Sequence, residues 1–381
     1  MADRFRDDTD LEYFLPTPIW PPALKQPARP PALVHLDTAQ WIRFARVLRG
    51  DELPAYASLL EALREAVGDG RARIAMSGSQ YREIIKVKDP AKRGKLAAVV
   101  EELTDFTYIT SHLDVVKLEL QASLDAITGT TGHNWMPIDL IGTSALNVMG
   151  RVGGLKIQEG DEDITERLLA EDPTWAERIA DMNRQAERML LSGPSDEEAA
   201  EMRPEGYEPE ASEQMMIDNA ILEEAWARQI DKYRATHRVR DLVLWRHLHL
   251  ELLDMIVREQ LVRGIRVDDI FSDPVGGARF VLGMPSSAVT VSMKAQYHQD
   301  PSRRWTANDL YDFDALALSI PYCDVVFADA SARDAAIRRG LDRHFGTRMP
   351  RRPEDLTALL RGLASVEPSR KPEPGQSPLL E

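Results

Sequence analysis

The chain has 381 residues, 43% apolar and 29% charged, which is the balance of a water-soluble protein long enough for two or three domains. Every apolar run stops well short of the roughly 18 residues of a spanning helix, and a single cysteine, Cys323, excludes an internal disulfide or a multi-cysteine metal cage. A net charge of −15 argues against nucleic-acid binding by overall field, yet residues 161–226 hold 20 acids against 5 bases and the remainder balances at 42 to 42.

In chain order, MADRFRDDTD carries four acids and no apolar stretch follows it, so no secretory signal is expected and a reducing cytoplasm is the expected compartment. Residues 11–32 hold seven prolines, too many for helix or central strand. They predict an extended arm over residues 1–32, anchored through Phe14, Ile19 and Trp20. ALVHLDTAQWI then reads as a buried strand that breaks at Asp37 into a helix, with a second helix over Pro54–Val67. RARIAMSGSQYREIIK reads as a strand ending near Ser77 followed by a helix. Lys92–Leu103 is the next helix, FTYIT a strand, and LDVVKLELQASLDAI a helix. Strands alternating with helices predict an α/β fold with a parallel sheet covered on both faces.

That alternation stops near residue 128 and resumes near 285. Between them helices are predicted over Ile138–Met149, Thr174–Leu191, Ser212–Arg234 and Val239–Val262, with an acidic loop at 192–211, so 128–284 reads as an inserted α-helical subdomain. Beyond it lie a helix at Ser286–Tyr297, a basic turn, the helix NDLYDFDALALSI, the strand DVVFAD, the helix SARDAAIRRGLDRHF, a short strand near Thr347–Met349 and a last helix, PEDLTALLRGL. Residues 366–381 have the composition of a disordered tail.

Ligands of parallel α/β sheets gather at the carboxyl ends of the strands. Asp37 and Asp329 occupy such ends, Glu83 sits on the first turns of the helix after the second strand, and Asp309, Asp312 and Asp314 open the helix leading to Asp329. Singly, each has an ordinary reading as a helix cap, a dipole partner or a solvated position. Jointly they conflict, because two carboxylates about 4 Å apart repel by roughly 4 kcal/mol at an effective dielectric of 20. They must be protonated, spread apart, or reconciled by a cation, for which all-oxygen ligation favours Mg²⁺ or Mn²⁺.

The segments LVHLDTAQWI, MSGSQYREII, NDLYDFDALALSI and CDVVFAD resemble the four acidic blocks of PIN-domain nucleases. The resemblance covers residues 33–127 and 285–362. It implies a three-layer α/β/α PIN-like domain with a central parallel sheet, spanning 33–127 and 285–365. The family's metal and catalytic positions fall on Asp37, Glu83, Asp314 or Asp312, and Asp329. Asp312 and Asp314 face different sides of a helix, so only one is expected to ligate; the sequence DALAL points to Asp314, while the spacing to Asp329 fits Asp312 about as well. The implied activity is Mg²⁺- or Mn²⁺-dependent endoribonuclease cleavage leaving a 5′-phosphate and a 3′-hydroxyl.

Expected contacts to RNA are Thr38, Arg82, Lys86, Arg303, Arg304 and Arg333, with Trp305 beside the arginine pair as a base-stacking candidate. The helical insertion has no counterpart in the small toxins of the family and is expected to gate the site or bind a protein partner. Alternatives are an inactive PIN-like scaffold and a DNA-directed nuclease on the same site. His247 and Glu251, one helical turn apart, lack the HExxH order of a zinc helix and read as packing. Asp324 reads as a strand-start residue.

Overall fold

The computed structural model describes residues 14–129, 137–150, 156–172, 174–266 and 274–364. It is mixed α/β and mainly helical. Chain order runs β1 (Leu24–Lys25), β2 (Ala32–Leu36), α1 (Thr38–Leu48), α2 (Pro54–Gly68), β3 (Ala72–Ile74), α3 (Gly78–Ile85), α4 (Pro90–Thr104), β4 (Tyr108–Ile109) and α5 (His112–Thr128). The middle of the chain holds β5 (Ile138–Asp139), β6 (Ile141–Gly142), α6 (Ala145–Val148), β7 (Gln158–Glu159), β8 (Glu162–Asp163), α7 (Thr165–Glu171), α8 (Thr174–Ser192), α9 (Asp196–Met202), α10 (Pro209–Ile230), α11 (Val239–Arg246), α12 (Leu253–Arg263) and α13 (Pro274–Gly283). A π-helical segment, His247–Leu252, joins α11 to α12. The last part comprises α14 (Pro285–His298), α15 (Ala307–Tyr322), β9 (Val325–Phe327), α16 (Ala330–Arg338), α17 (Leu341–Phe345) and α18 (Pro353–Arg361).

Segments from both ends of the chain meet in one parallel sheet of order β3-β2-β9, in which Val34 lies opposite both Ile74 and Val325. Single parallel bridges extend it from Met76 to Tyr108 and from Val325 to Arg348. Side chains alternate across a strand, and here both sides are apolar. Val34, Leu36, Ile74 and Phe327 pack with Trp41, Leu59, Val100 and Leu356 from α1, α2, α4 and α18. Leu33, Ala75 and Val326 pack on the other side with α5, α14 and α15 through Leu118, Val289 and Leu316. The predicted parallel sheet with both faces covered is therefore present, though its strands are short.

A third core joins the outer side of α5 (Leu120, Leu124) and α14 (Val291, Ala295) to α11–α13 through Leu244, Leu248, Ile256 and Phe280. Alongside runs a buried ionic network in which Glu223 meets Arg246, Lys294 (3.2 Å) and His298 (3.0 Å). Lys294 also reaches Glu251 at 2.8 Å, and the ionised Glu251 carboxylate accepts from His247 Nδ1–H at 2.8 Å. His247 and Glu251 thus serve packing between helices, as expected.

Three local expectations fail. Ile138–Met149 is two short strands and a one-turn helix: β5 pairs with β1 and β6 with β4, so those backbone groups bond outside the segment. The acidic stretch 192–211 contains α9, whose Ser195–Glu198 capping box and first-turn acids stabilise a helix start. The single helix expected over SARDAAIRRGLDRHF breaks at Gly340, whose φ of +68° no helix continues through.

Of the expected anchors of the arm, Phe14 and Trp20 are exposed, though the arm is tied to the body at several points. Trp20 meets the Tyr322 ring edge-on at 5.4 Å, the Ile19 N–H donates to the Gly283 carbonyl at 2.8 Å, and Arg29 pairs with Asp324 at 2.9 Å. Asp324 also accepts from the Leu33 N–H at 2.6 Å, which ties arm, β2 and β9 at their starts. Residues 1–13 and the predicted tail at 366–381 lie outside the described residues. Among the described residues, no helix is long and apolar enough to cross a membrane.

Glu119 supplies a pH-dependent element of this core. It is fully buried and accepts from the Ser286 N–H (3.0 Å), the Ser286 hydroxyl and the Tyr322 hydroxyl (2.7 Å). Burial, only partly offset by those bonds, pushes its carboxyl up to about 7 from 4.5. The folded state therefore holds a proton that the unfolded chain releases. Its linked stability is complete below about pH 4.5 and is lost as pH rises through about 7. Chemical denaturation of Glu119→Gln should show that slope flattened, and an unchanged slope would refute the assignment.

Candidate functional site

One cleft opens beyond the carboxyl ends of β2 and β9, lined by His35, Asp37, Thr38, Gln80, Glu83, Tyr311, Asp312, Ala315, Leu316, Ala328, Asp329 and Ala332. Each acid arrives by a different local device. Asp37 ends β2 at the N-cap position of α1 without a side-chain cap hydrogen bond, leaving its carboxylate for the cleft. Asp329 lies two residues beyond β9 and caps α16 through one oxygen, Oδ1, which accepts from the amides of Ser331 and Ala332. Glu83 lies midway along α3 and accepts the Thr38 hydroxyl. Asp312 lies on α15 with Ala315 and Leu316, three and four residues on, lining the same cleft.

Gln80 fixes the floor. Its side-chain oxygen accepts from the Ser77 N–H at 3.0 Å, closing the cap of α3, and its amide donates to the Leu36 carbonyl, the last residue before Asp37. One buried side chain therefore locks the ends of β2 and β3 together. Gln80→Ala should cost about 2–4 kcal/mol, because two buried backbone groups lose partners at roughly 1–3 kcal/mol each. Chemical denaturation measures this, and a loss under about 0.5 kcal/mol would contradict it.

The electrostatics are those of crowded, buried acids. Burial first, and then Asp37, Asp329, Glu83 and Asp309, push the Asp312 carboxyl up to about 9 from 3.8. Asp37 is also raised, by burial and by Asp329. Glu83 is raised by burial, while the Thr38 hydrogen bond and Lys86 pull it back and Asp37 adds to it. His35 is lowered by burial to about 4 and is neutral. Among the described residues, no three His, Cys, Asp or Glu side chains stand close enough to hold one ion at once. The donor chemistry, carboxylate oxygens throughout the acidic set, is that of a hard divalent cation.

The structure separates the sequence candidates. Asp37, Glu83, Asp312, Asp329 and Thr38 share the cleft. Asp314, the favoured third acid, is not among its lining residues. It faces Arg82 at 3.7 Å and His112 at 3.8 Å, because two positions along a helix turn the side chain away by some 200°. Of the basic candidates, Lys86 acts on Glu83, and its ammonium is 4.5 Å from the Tyr311 ring centroid. Arg82 is turned to Asp314, and Arg333 bonds the Met349 carbonyl at 2.8 Å and Asp334 at 2.9 Å. Arg303 stacks on the Tyr297 ring at 3.5 Å and binds Asp309 at 2.7 Å, while Arg304 is exposed. Trp305 is no base-stacking platform: it is buried among Tyr297, His298 and Phe313. Asp309 closes a capping box with Thr306 at the start of α15.

His35, Gln80 and Tyr311 line the cleft and escaped the sequence reading, as did Arg43, whose charge acts on Asp37. Strand alternation already placed His35 on the same side as Asp37. The inserted helices border the site, since the charge of Glu213 on α10 acts on Tyr311. No protein-family model, curated protein or solved structure matches the chain.

Proposed function

We propose that this chain is a PIN-like, divalent-metal-dependent endoribonuclease with a three-layer α/β/α core. The observation that carries the reading is the delivery of Asp37, Glu83, Asp312 and Asp329, from four separate segments, into one cleft at the carboxyl edge of a parallel sheet. Drawn closer together than they stand in this structure, these four acids would hold Mg²⁺ or Mn²⁺. When bound, such an ion supplies Lewis acidity toward a phosphoryl oxygen and acidifies water at neutral pH. Thr38 restrains the Glu83 carboxylate, and Gln80 restrains the strand ends that carry Asp37 and Ser77. Lys86 and Arg43 bring positive charge beside the acids, where a substrate phosphate would approach.

The insertion supports a further role in binding a protein partner. Its helix α10 exposes Met215, Ile217, Ile221 and Leu222 on the outside while Met216 and Ala220 pack beside α15. A reducing compartment such as the cytoplasm suits a chain whose one cysteine is buried.

The test is incubation of the purified protein with Mn²⁺ and end-labelled RNA and DNA panels, with and without chelator. Expected is RNA cleavage to 5′-phosphate and 3′-hydroxyl ends that stops on chelation. Cleavage of DNA alone would shift the substrate class. Cleavage unaffected by chelation would remove the metal, and no cleavage of either polymer would favour a scaffold.

A further inference from the structure

We infer that single-stranded RNA leaves the acidic cleft over the edge of the sheet beyond β9, its phosphates held by Arg348, Arg351 and Arg352 and, farther along, by Arg338 and Arg343; this rests on the nuclease reading above. Acids and bases are segregated about the cleft. The strand order β3-β2-β9 puts α3, which follows β3, on one flank and the bridge from Val325 to Arg348 on the other. The insertion stands on the α3 flank. There Arg93 of α4 donates to the Pro194 carbonyl at 2.6 Å and the Tyr81 hydroxyl of α3 to the Leu190 carbonyl at 3.2 Å. Glu210 of α10 feels Lys88, and Tyr311 feels Glu213. With 20 acids against 5 bases over residues 161–226, that flank repels a polyanion.

The other flank has the opposite sign: residues 338–352 hold six arginines against one acid, Asp342. Arg348 joins the sheet through both backbone groups, its N–H donating to the Asp324 carbonyl and its carbonyl accepting from the Val326 N–H, each at 3.0 Å. The pairing is parallel, so the chain beyond Met349 emerges at the carboxyl edge that carries Asp37 and Asp329. Arg333, one turn after Asp329, holds the Met349 carbonyl at 2.8 Å. Arg43 acts on Asp37 and bonds the Tyr56 hydroxyl, which in turn feels Glu354 just past Arg352. In the other direction the nine residues of α16 carry the strip about 13 Å, to Arg338. Thr347 and Met349 are buried while Arg348 between them is exposed, as are Arg338, Arg343, Arg351 and Arg352. Arg82, Arg303 and Arg333 each face a carboxylate of the chain itself, whereas Arg338, Arg343, Arg348 and Arg351 make no ion pair among the described residues and Arg352 has only a 3.7 Å pair with Asp355. Salt screens charges beyond roughly 10 Å at about 0.1 M, so a strand lying on this strip feels the arginines it touches rather than the net −15 of the chain.

Fluorescence anisotropy of a labelled single-stranded RNA, read in chelator so that nothing is cleaved, tests this on the full chain. The triple variant Arg348→Glu, Arg351→Glu, Arg352→Glu should bind at least about tenfold more weakly at about 0.1 M salt. Its salt slope should fall by about 2, at roughly 0.7 per phosphate contact on a single strand. Arg167→Glu, Arg178→Glu, Arg184→Glu makes the same change of charge on exposed positions of the insertion and should stay within about twofold of wild type. Single-stranded DNA of the same sequence should follow the same pattern, because phosphate contacts carry the binding. Should circular dichroism show the first variant misfolded, 4-thiouridine crosslinks on wild type should still fall within residues 338–352. RNA bound equally by wild type and the folded strip variant, or crosslinked to residues 161–226, would overturn the inference. Mn²⁺-dependent cleavage at the wild-type rate by that variant would also overturn it while leaving the nuclease reading intact. Strip-dependent binding without cleavage at any Mn²⁺ concentration would keep the strip and remove the hydrolysis. No saturable binding of either strand would defeat both.

Discussion

Replacing Asp37 or Asp329 by Asn should lower Mn²⁺-dependent RNA cleavage by about 10³-fold or more, the scale of losing several kcal/mol of transition-state stabilisation. Asp312→Asn should be equally damaging. Asp314→Asn should stay within about threefold of wild type, because that side chain faces Arg82 and His112 across partly exposed pairs worth under about 1 kcal/mol. Each variant is assayed on the same labelled RNA over a range of Mn²⁺, with circular dichroism as a fold control. The informative contrast is Asp312 against Asp314. A crippled Asp314→Asn beside an active Asp312→Asn would reverse the orientation of α15 on which the site depends.

The second large effect concerns stability without metal. The folded chain holds the Asp312 proton to about pH 9, whereas the unfolded chain releases it near 3.8. Between those values the folded state binds more protons, so unfolding free energy falls as pH rises, by up to about 1.4 kcal/mol per pH unit. Glu119 adds to the slope only up to about pH 7. Asp312, raised the furthest, therefore dominates the slope toward pH 9. Chemical denaturation in chelator should show wild type weakening from about pH 7 to 9 and Asp312→Asn holding level and more stable. Added Mn²⁺ should stabilise wild type more at pH 8 than at pH 6, since protons compete with the ion for the same carboxylates. Parallel curves for the two proteins would show that Asp312 is not crowded by its neighbours.

Why some of this could be read in advance follows from particular residues. Asp37 and Asp329 end apolar runs that switch at once to helical periodicity, and that switch locates the carboxyl edge of a parallel sheet without further information. Glu83 follows from the same logic one turn into α3. The third acid was ambiguous because a helix reveals which residues share a side but not how the helix is rolled onto the sheet. Both Asp312 and Asp314 have apolar neighbours three and four positions on, so composition does not choose between them. Trp305 was misread for a related reason: a residue in a turn carries no periodic signal of which way it points, and here it completes the core beside Tyr297 and Phe313.

The insertion was legible in its long helices and illegible where partners are remote. Ile138–Asp139 and Ile141–Gly142 look helical in isolation, yet their backbone groups are claimed by Leu24–Lys25 and Tyr108–Ile109. Helix α9, by contrast, announced itself through the Ser195–Glu198 box within the acidic run, a local signal overshadowed by composition.

The most direct measurement is isothermal titration of Mn²⁺ into the metal-free protein at pH 8, beside the Asp37→Asn, Asp329→Asn double variant. Saturable binding by wild type, with proton release and its loss in the double variant, is the predicted result. Wild type that takes up no Mn²⁺, or a double variant that binds it as well as wild type does, would contradict a cation as the partner of these acids.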